Sequence, residues 1–145
     1  MCTQSSLPLA QLNSHAFVNV QDFSAAETVL VVEDEIFVRK VTCEVLRSAG
    51  YHVMSAGSAA EALRACAQHR CHLRLLLTDV VLPDETGCAL AAKLAAANHD
   101  LRVLLVSGYA KAVACEVEGA EYLPKPYSSE ALLGKVRQLL HSNNR

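Results

Sequence analysis

From residue 28 onward the chain alternates between two apolar textures. Runs that are apolar at nearly every position occur at TVLVV (28–32), LRLLLTD (73–79) and LRVLLVS (101–107), with shorter ones at YHVMSA (51–56) and AEYLP (120–124). Strands buried on both faces read this way. Between them the apolar residues fall at helical spacing. In IFVRKVTCEVLRSAG they are Ile36, Val38, Val41, Val45 and Leu46, and Gly50 supplies a stop. SAAEALRACAQH opens with Ser58 and Glu61 at capping-box spacing. DETGCALAAKLAAAN is an alanine-rich helix in which Ala92, Ala95, Ala96 and Ala97 are expected to lower the bulk against the sheet. A short helical piece is expected from about Ala110 to Val117, and SSEALLGKVRQLLHS closes the chain with Leu132, Leu133, Val136, Leu139 and Leu140 on one face. Five strands alternating with five helices call for a parallel sheet, doubly wound with helices on both sides and joined by right-handed crossovers.

Composition leaves this picture standing and removes alternatives. The 145 residues suit one domain with its own core, and 52% hydrophobic against 19% charged residues indicates a globular chain. A net charge of -2 gives no electrostatic reason to expect nucleic acid or an anionic membrane as partner. No apolar run approaches the roughly 20 residues that span a bilayer, and the opening MCTQSSLPLAQLNSH lacks the features of a signal peptide. A cytoplasmic protein is expected. Residues 1–26 show neither period and are rich in Ser, Gln and Asn; they read as a flexible tail, with a short ordered piece or a partner-induced one around Phe17 to Phe23 as the alternative. The domain is then 27–143. The six cysteines contain no CxxC pair, and the group Cys66, His69, Cys71 and His72 fits no standard zinc spacing, so free thiols are the expectation.

The polar residues collect at the strand ends. The first strand ends in Glu33 and Asp34, the third in Asp79, the fourth in Ser107 and Gly108, and the fifth in Lys125 and Pro126. Open parallel sheets bind ligands just beyond these ends, where the strand order reverses. Three carboxylates in one place repel each other unless a divalent cation sits among them, and an oxygen set with few protein groups suits Mg2+. Lys125 can pair with Asp79 at rest and with a phosphoryl oxygen later, and Ser107 adds a hydroxyl. A carboxylate flanked in this way is suited to accept a phosphoryl group, a transfer governed by positioning and charge neutralisation.

Four segments now carry a resemblance: VVEDE at 31–35, TDVVLPDETG at 78–87, VSGYA at 106–110 and YLPKPY at 122–127. From about Thr28 to Leu140 the chain is similar to the receiver domain of two-component response regulators. The resemblance implies a flavodoxin-like sheet of order 2-1-3-4-5. It further implies Asp79 as the residue phosphorylated by a sensor histidine kinase or a histidine phosphotransfer protein, Asp34 as a direct Mg2+ ligand, Glu33 as an acid acting through water, and the backbone carbonyl of Val81 as completing the metal shell. Lys125 matches the family's lysine, with Pro126 expected after a cis peptide, and Ser107 with Tyr122 matches the switch pair. Signalling is implied through the face made by the helical piece at 110–117, the fifth strand and the closing helix. That face is also the candidate homodimer surface, and the downstream protein it would signal to is unknown.

Some positions depart from the commonest pattern: Glu33 for Asp, Ser107 for Thr and Tyr127 for Phe. The stretch from Ser107 to Lys125 is about one helical turn short, so the helical piece is expected to be stubby and its partner surface unusual. Blander roles stand beside the sharp ones. Glu35 reads better as a helix-start acid than as a third ligand, and Tyr109 as site shield or rim cover alike; Tyr122, three residues before Lys125, reads better as switch than as packing, and Lys125 better as a working residue than as a structural partner of Asp79 in a dead site. A stand-alone phosphoacceptor, with no room for an output domain, is the expected function. The rivals are a phosphatase of the haloacid-dehalogenase type, which would want a second acid where Val81 stands, and a scaffold that never takes phosphate.

Overall fold

A computed structural model describes residues 27–69, 72–108, 115 and 117–141. Its elements run β1 (Thr28–Val32), α1 (Ile36–Ser48), β2 (His52–Ala56), α2 (Ala59–Gln68), β3 (Leu73–Asp79), α3 (Gly87–Ala97), β4 (Arg102–Ser107), β5 (Glu121–Pro124) and α4 (Ser129–His141). All five strands are parallel, in the order β2-β1-β3-β4-β5 expected from the resemblance. The helical piece expected around 110–117 and the residue Tyr109 lie outside the described residues, apart from Cys115 and Val117. The tail, 1–26, lies outside them as well.

The strands are buried on both faces because their alternating side chains feed two separate layers. Val29, Val31, Leu75, Leu77, Leu104, Val106 and Leu123 pack with Cys43 and Leu46 of α1 and with Leu132, Val136, Leu139 and Leu140 of α4. Leu30, Val32, Leu76, Val103 and Leu105 pack on the other side with Ala59 and Ala62 of α2 and Leu90 and Ala91 of α3. The period of two thus assigns each residue to a layer.

Two expected helix faces are corrected. In α1 the core-facing residues are Thr42, Cys43 and Leu46, while Ile36 and Val41 are exposed and Val38 and Val45 only half-buried. The helix starts four residues after β1 ends, so its first turns stand beyond the end of the sheet with no strand beneath them. In α3 the buried stripe is Gly87, Leu90 and Ala91, extended by half-buried Leu94. Ala92, Ala96 and Ala97 face outward and Ala95 is half-buried, so those alanines do not thin the sheet contact. The sheet takes the i, i+3, i+4, i+7 stripe that starts at Gly87.

The helix starts are closed by side chains. Glu35 caps α1, accepting from the Phe37 and Val38 amides at 3.1 and 3.3 Å, which gives it the helix-start role. Ser58 Oγ accepts from the Glu61 amide at 3.1 Å, and the Glu61 carboxylate reaches back to the Gly57 amide, one residue earlier than in the usual capping box. No described helix is long and apolar enough to cross a membrane.

Candidate functional site

The register of the sheet brings the strand-end residues together. Val32 pairs with Thr78, which sets Glu33 level with Asp79 on the neighbouring strand. Asp79 pairs with Val106, and Ser107 with Pro124, so Ser107 and Lys125 arrive at the same rim from β4 and β5. The Lys125 amide donates to the Ser107 carbonyl at 2.8 Å, and the Lys125–Pro126 peptide is cis, as expected. β1 and β3 are the strands between which the winding reverses, the place where doubly wound sheets bind ligands.

Lys125 is the hub. Its Nζ lies 2.8 Å from Asp79 Oδ1 and 2.9 Å from Glu33 Oε1. The second Glu33 oxygen accepts from the Glu35 amide at 3.0 Å, and Arg39 Nη1 donates to the Glu33 carbonyl at 2.8 Å. Glu33 and Asp79 keep only 4% and 6% of their surface exposed, so both charges are costly without partners. Burial pushes the Asp79 carboxyl up to about 7, and the adjacent Glu33 adds to the rise against the pull of Lys125. Burial acts on Glu33 in the same sense, but hydrogen bonds to Asp79, Lys125 and the Glu35 amide outweigh it and hold Glu33 below the usual carboxylate range. Burial opposes the charge on Lys125, yet its bonds to Asp79 and Glu33 raise it above an ordinary lysine, so it is a fixed ammonium. Below about pH 7 the crowded pair therefore holds a proton, chiefly on Asp79.

Carboxylate oxygens of Glu33, Asp34 and Asp79 all lie within 4.8 Å of one another, with Asp34 exposed to solvent. An all-oxygen set with one open, wet side fits a hard divalent cation that retains water. Val81 sits at the exposed rim two residues past Asp79, bridged to Thr86. Ser107 is buried at the end of β4. Tyr122, paired in register with Leu105, packs against the α2–α3 layer beneath the rim.

Four supporting residues escaped the sequence reading. Gly87 was legible only as a turn residue, yet a Cβ there would lie 2.0 Å from the Asp79 carbonyl oxygen and 3.1 Å from Thr78 Cγ2, so its bareness lets α3 start against the end of β3. Its amide also donates to the Val80 carbonyl at 2.7 Å. Asp84 accepts from the Ala59 and Ala60 amides at 3.0 and 2.9 Å, tying the turn after Asp79 to the start of α2; those two bonds hold its carboxyl below the usual range. The Tyr127 hydroxyl, absent from a phenylalanine, meets Thr42 Oγ1 at 2.9 Å and joins the β5–α4 turn to α1. Turn propensity marks Pro83–Gly87, but contacts 25 and 85 residues apart leave no local signal. Of the Cys/His group, Cys66 packs on the α2–α3 layer, His72 faces Asp100 at 3.9 Å, and Cys71 lies outside the described residues.

Comparison with known proteins points the same way. The response regulator receiver domain profile matches residues 29–137. The sensor kinase CckA of Brucella abortus is 34% identical over 127 residues, 85% of this chain and 13% of CckA. The transcriptional regulator NtrC of Azospirillum brasilense is 35% identical over 82% of this chain and 25% of NtrC. The chain thus spans a quarter or less of these two relatives. CpdR of Brucella abortus, a response regulator receiver protein, is 30% identical over 77% of this chain and 95% of CpdR. The crystal structure of the CckA receiver domain superposes with a TM-score of 0.69 at 34% identity, covering 78% of this chain and 98% of that one. A CheY-like receiver from Methanospirillum hungatei gives 0.69 at 28% identity, covering 80% and 94%. With profile, relatives and sheet order in agreement, the chain belongs to the receiver domain family of two-component response regulators, a phosphorylation-accepting family.

Proposed function

We propose that the chain acts as a cytoplasmic receiver that accepts a phosphoryl group on Asp79 from the phosphohistidine of a sensor kinase or phosphotransfer protein. The observation that carries this reading is Lys125 Nζ lying between Asp79 Oδ1 and Glu33 Oε1 at 2.8 and 2.9 Å, on the open rim of the acidic cluster. An Asp79 oxygen attacks phosphorus, the P–O bond forms as the P–N bond to the donor imidazole breaks, and the imidazole leaves with the electron pair. Lys125 holds the carboxylate in place and then faces a phosphoryl oxygen, since its charge persists throughout. Glu33, Asp34, Asp79 and the Val81 carbonyl are the residues that would hold Mg2+, which when bound supplies charge neutralisation at the transferring group. Ser107 is assigned as the hydroxyl that follows the phosphoryl group and Tyr122 as the ring that responds. The message then leaves through the face around the 110–117 segment, β5 and α4 toward a downstream protein or a second copy. A phosphatase of the haloacid-dehalogenase type is disfavoured because Val81 stands where that chemistry needs its second acid.

The test is incubation with Mg2+ and acetyl phosphate, or with beryllium fluoride, followed by intact mass and 19F NMR. One adduct on Asp79, absent from Asp79→Asn, is expected. No adduct, or one that survives Asp79→Asn, sinks the proposal and leaves a scaffold.

A further inference from the structure

Two half-buried thiols meet outside the acidic cluster. Cys88 stands in the first turn of α3, directly after the Gly87 that abuts the Asp79 carbonyl. Cys115 belongs to the connection between β4 and β5. Both pack on the layer of the sheet that also holds Leu90 and Leu105, and the Cys88 side chain hydrogen-bonds to that of Cys115. Both are thiols in this structure. No CxxC spacing announces the pair, because its members come from different crossovers and only the fold brings them together. Cys43, by contrast, is sealed between the sheet and α1 at 3% exposure and serves as a small apolar residue.

The two sulfurs are placed for different steps of one reaction. Burial, with the neighbouring Cys115 adding to it, pushes the Cys88 thiol up to about 12, so Cys88 keeps its proton at neutral pH and is a poor first nucleophile. A small hydroperoxide therefore reacts first at Cys115, which is only half-buried. The Cys115 sulfur attacks one oxygen of hydrogen peroxide. The S–O bond forms as the O–O bond breaks, and the departing hydroxide takes the Cys115 proton as water. The Cys88 sulfur then attacks the sulfenic sulfur of Cys115. The S–S bond forms as the S–O bond breaks, and hydroxide leaves with the Cys88 proton as a second water. The thiol pair gives up two electrons and the peroxide is reduced to two waters. Contact between the side chains makes the second step intramolecular, which favours the disulfide over further oxidation.

We infer that Cys88 and Cys115 form a reversible disulfide that pins the β4–β5 connection to the start of α3 and slows phosphoryl acceptance at Asp79. Cys88 follows the turn that leaves Asp79, and the connection that holds Cys115 follows Ser107. The bond thus joins the two segments that flank the site and must give way as a phosphoryl group enters. The effect on acceptance rests on the phosphoacceptor reading of Asp79; the disulfide itself does not. Disulfides in reducing compartments are chiefly transient and redox-sensing, which suits a reversible one here.

The experiment treats the reduced full chain with a small excess of hydrogen peroxide, alkylates and digests it, and maps the cysteines by mass spectrometry. A peptide pair joined through Cys88 and Cys115, in monomeric protein and reversed by dithiothreitol, is expected. Hydrogen exchange in residues 87–92 and 117–122 is expected to slow several-fold on oxidation of the parent and to stay unchanged in Cys88→Ser or Cys88→Ala, in which dimedone should trap Cys115 as its sulfenic acid. Links among other cysteines, links only between chains, or over-oxidation without a link overturn the proposal. In a second arm the oxidised parent is expected to take phosphate from acetyl phosphate and Mg2+ several-fold more slowly than the reduced parent, while peroxide leaves the rate of Cys88→Ala unchanged. Equal rates for oxidised and reduced parent overturn the restraint on the site. If the disulfide forms and neither state takes phosphate, the disulfide stands and the phosphoacceptor reading has failed.

Discussion

Lys125 shows how one side chain sets the state of a site. Two carboxylates from adjacent strands are almost fully buried beside each other, and the ammonium between them is what makes the arrangement tolerable in the absence of a cation. Lys125→Gln keeps much of the length and removes the charge. It is expected to destabilise the metal-free protein by about 2 kcal/mol, below the 3–5 kcal/mol typical of a fully buried pair because the lysine retains some solvent contact. Urea melts in chelator check this, and the loss is expected to shrink when Mg2+ is added. The residues of this cluster were legible in the sequence because each is a polar residue at, or just past, the end of an apolar strand. Their order of influence was not, since Glu33 and Asp79 are chemically alike and only their local hydrogen bonds send them in opposite directions.

At the scale of elements the site depends on how α2 and α3 begin. Gly87→Ala places a methyl group against the Asp79 carbonyl, which is backbone and cannot swing aside. Either β3 or the first turn of α3 must move. The variant is expected to lose at least about 2 kcal/mol, in the range of overpacked sites, and to accept phosphate from acetyl phosphate at least tenfold more slowly; denaturant melts and mass-resolved labelling measure the two. Asp84→Ala removes the acceptor of two orphan amides of α2. Faster amide exchange at Ala59 and Ala60, with little change at the other end of α2, is the expected result in an NMR exchange series. Periodicity announced all four described helices, but it misassigned the inner face of α1. The helical period says that a stripe exists; which stripe meets the sheet depends on where the helix starts relative to the strand ends, and here polar Thr42 takes an inward place through its bond to Tyr127.

For the whole molecule the acid cluster links folding to pH. Asp79 rises from the ordinary 3.8 of an aspartate to about 7 in the folded chain. Between those values the folded state binds more protons than the unfolded state, so stability falls as pH rises through that window. The metal-free protein is accordingly expected to melt higher at pH 5.5 than at pH 8. Asp79→Asn is expected to flatten that slope and to be the more stable chain at pH 8, with differences on the order of 1 kcal/mol, since a pKa unit is worth about 1.4 kcal/mol; Glu33, held below its ordinary value, is ionised in both states across this range and leaves the slope unchanged. Thermal melts across that range in chelator decide it; a slope of opposite sign would remove the crowded-acid account. The sequence by itself determined the class of the fold, the strands, and which residues stand at their ends, because burial on both faces and helical spacing are written locally along the chain. Only the tertiary structure decided which strand ends adjoin, that Lys125 bridges Asp79 to Glu33, that Gly87 must be bare and Asp84 reach across to α2, and that the apolar face of α1 looks outward beside the site. Those facts arise from register and from contacts between residues far apart in the chain, which no local pattern records.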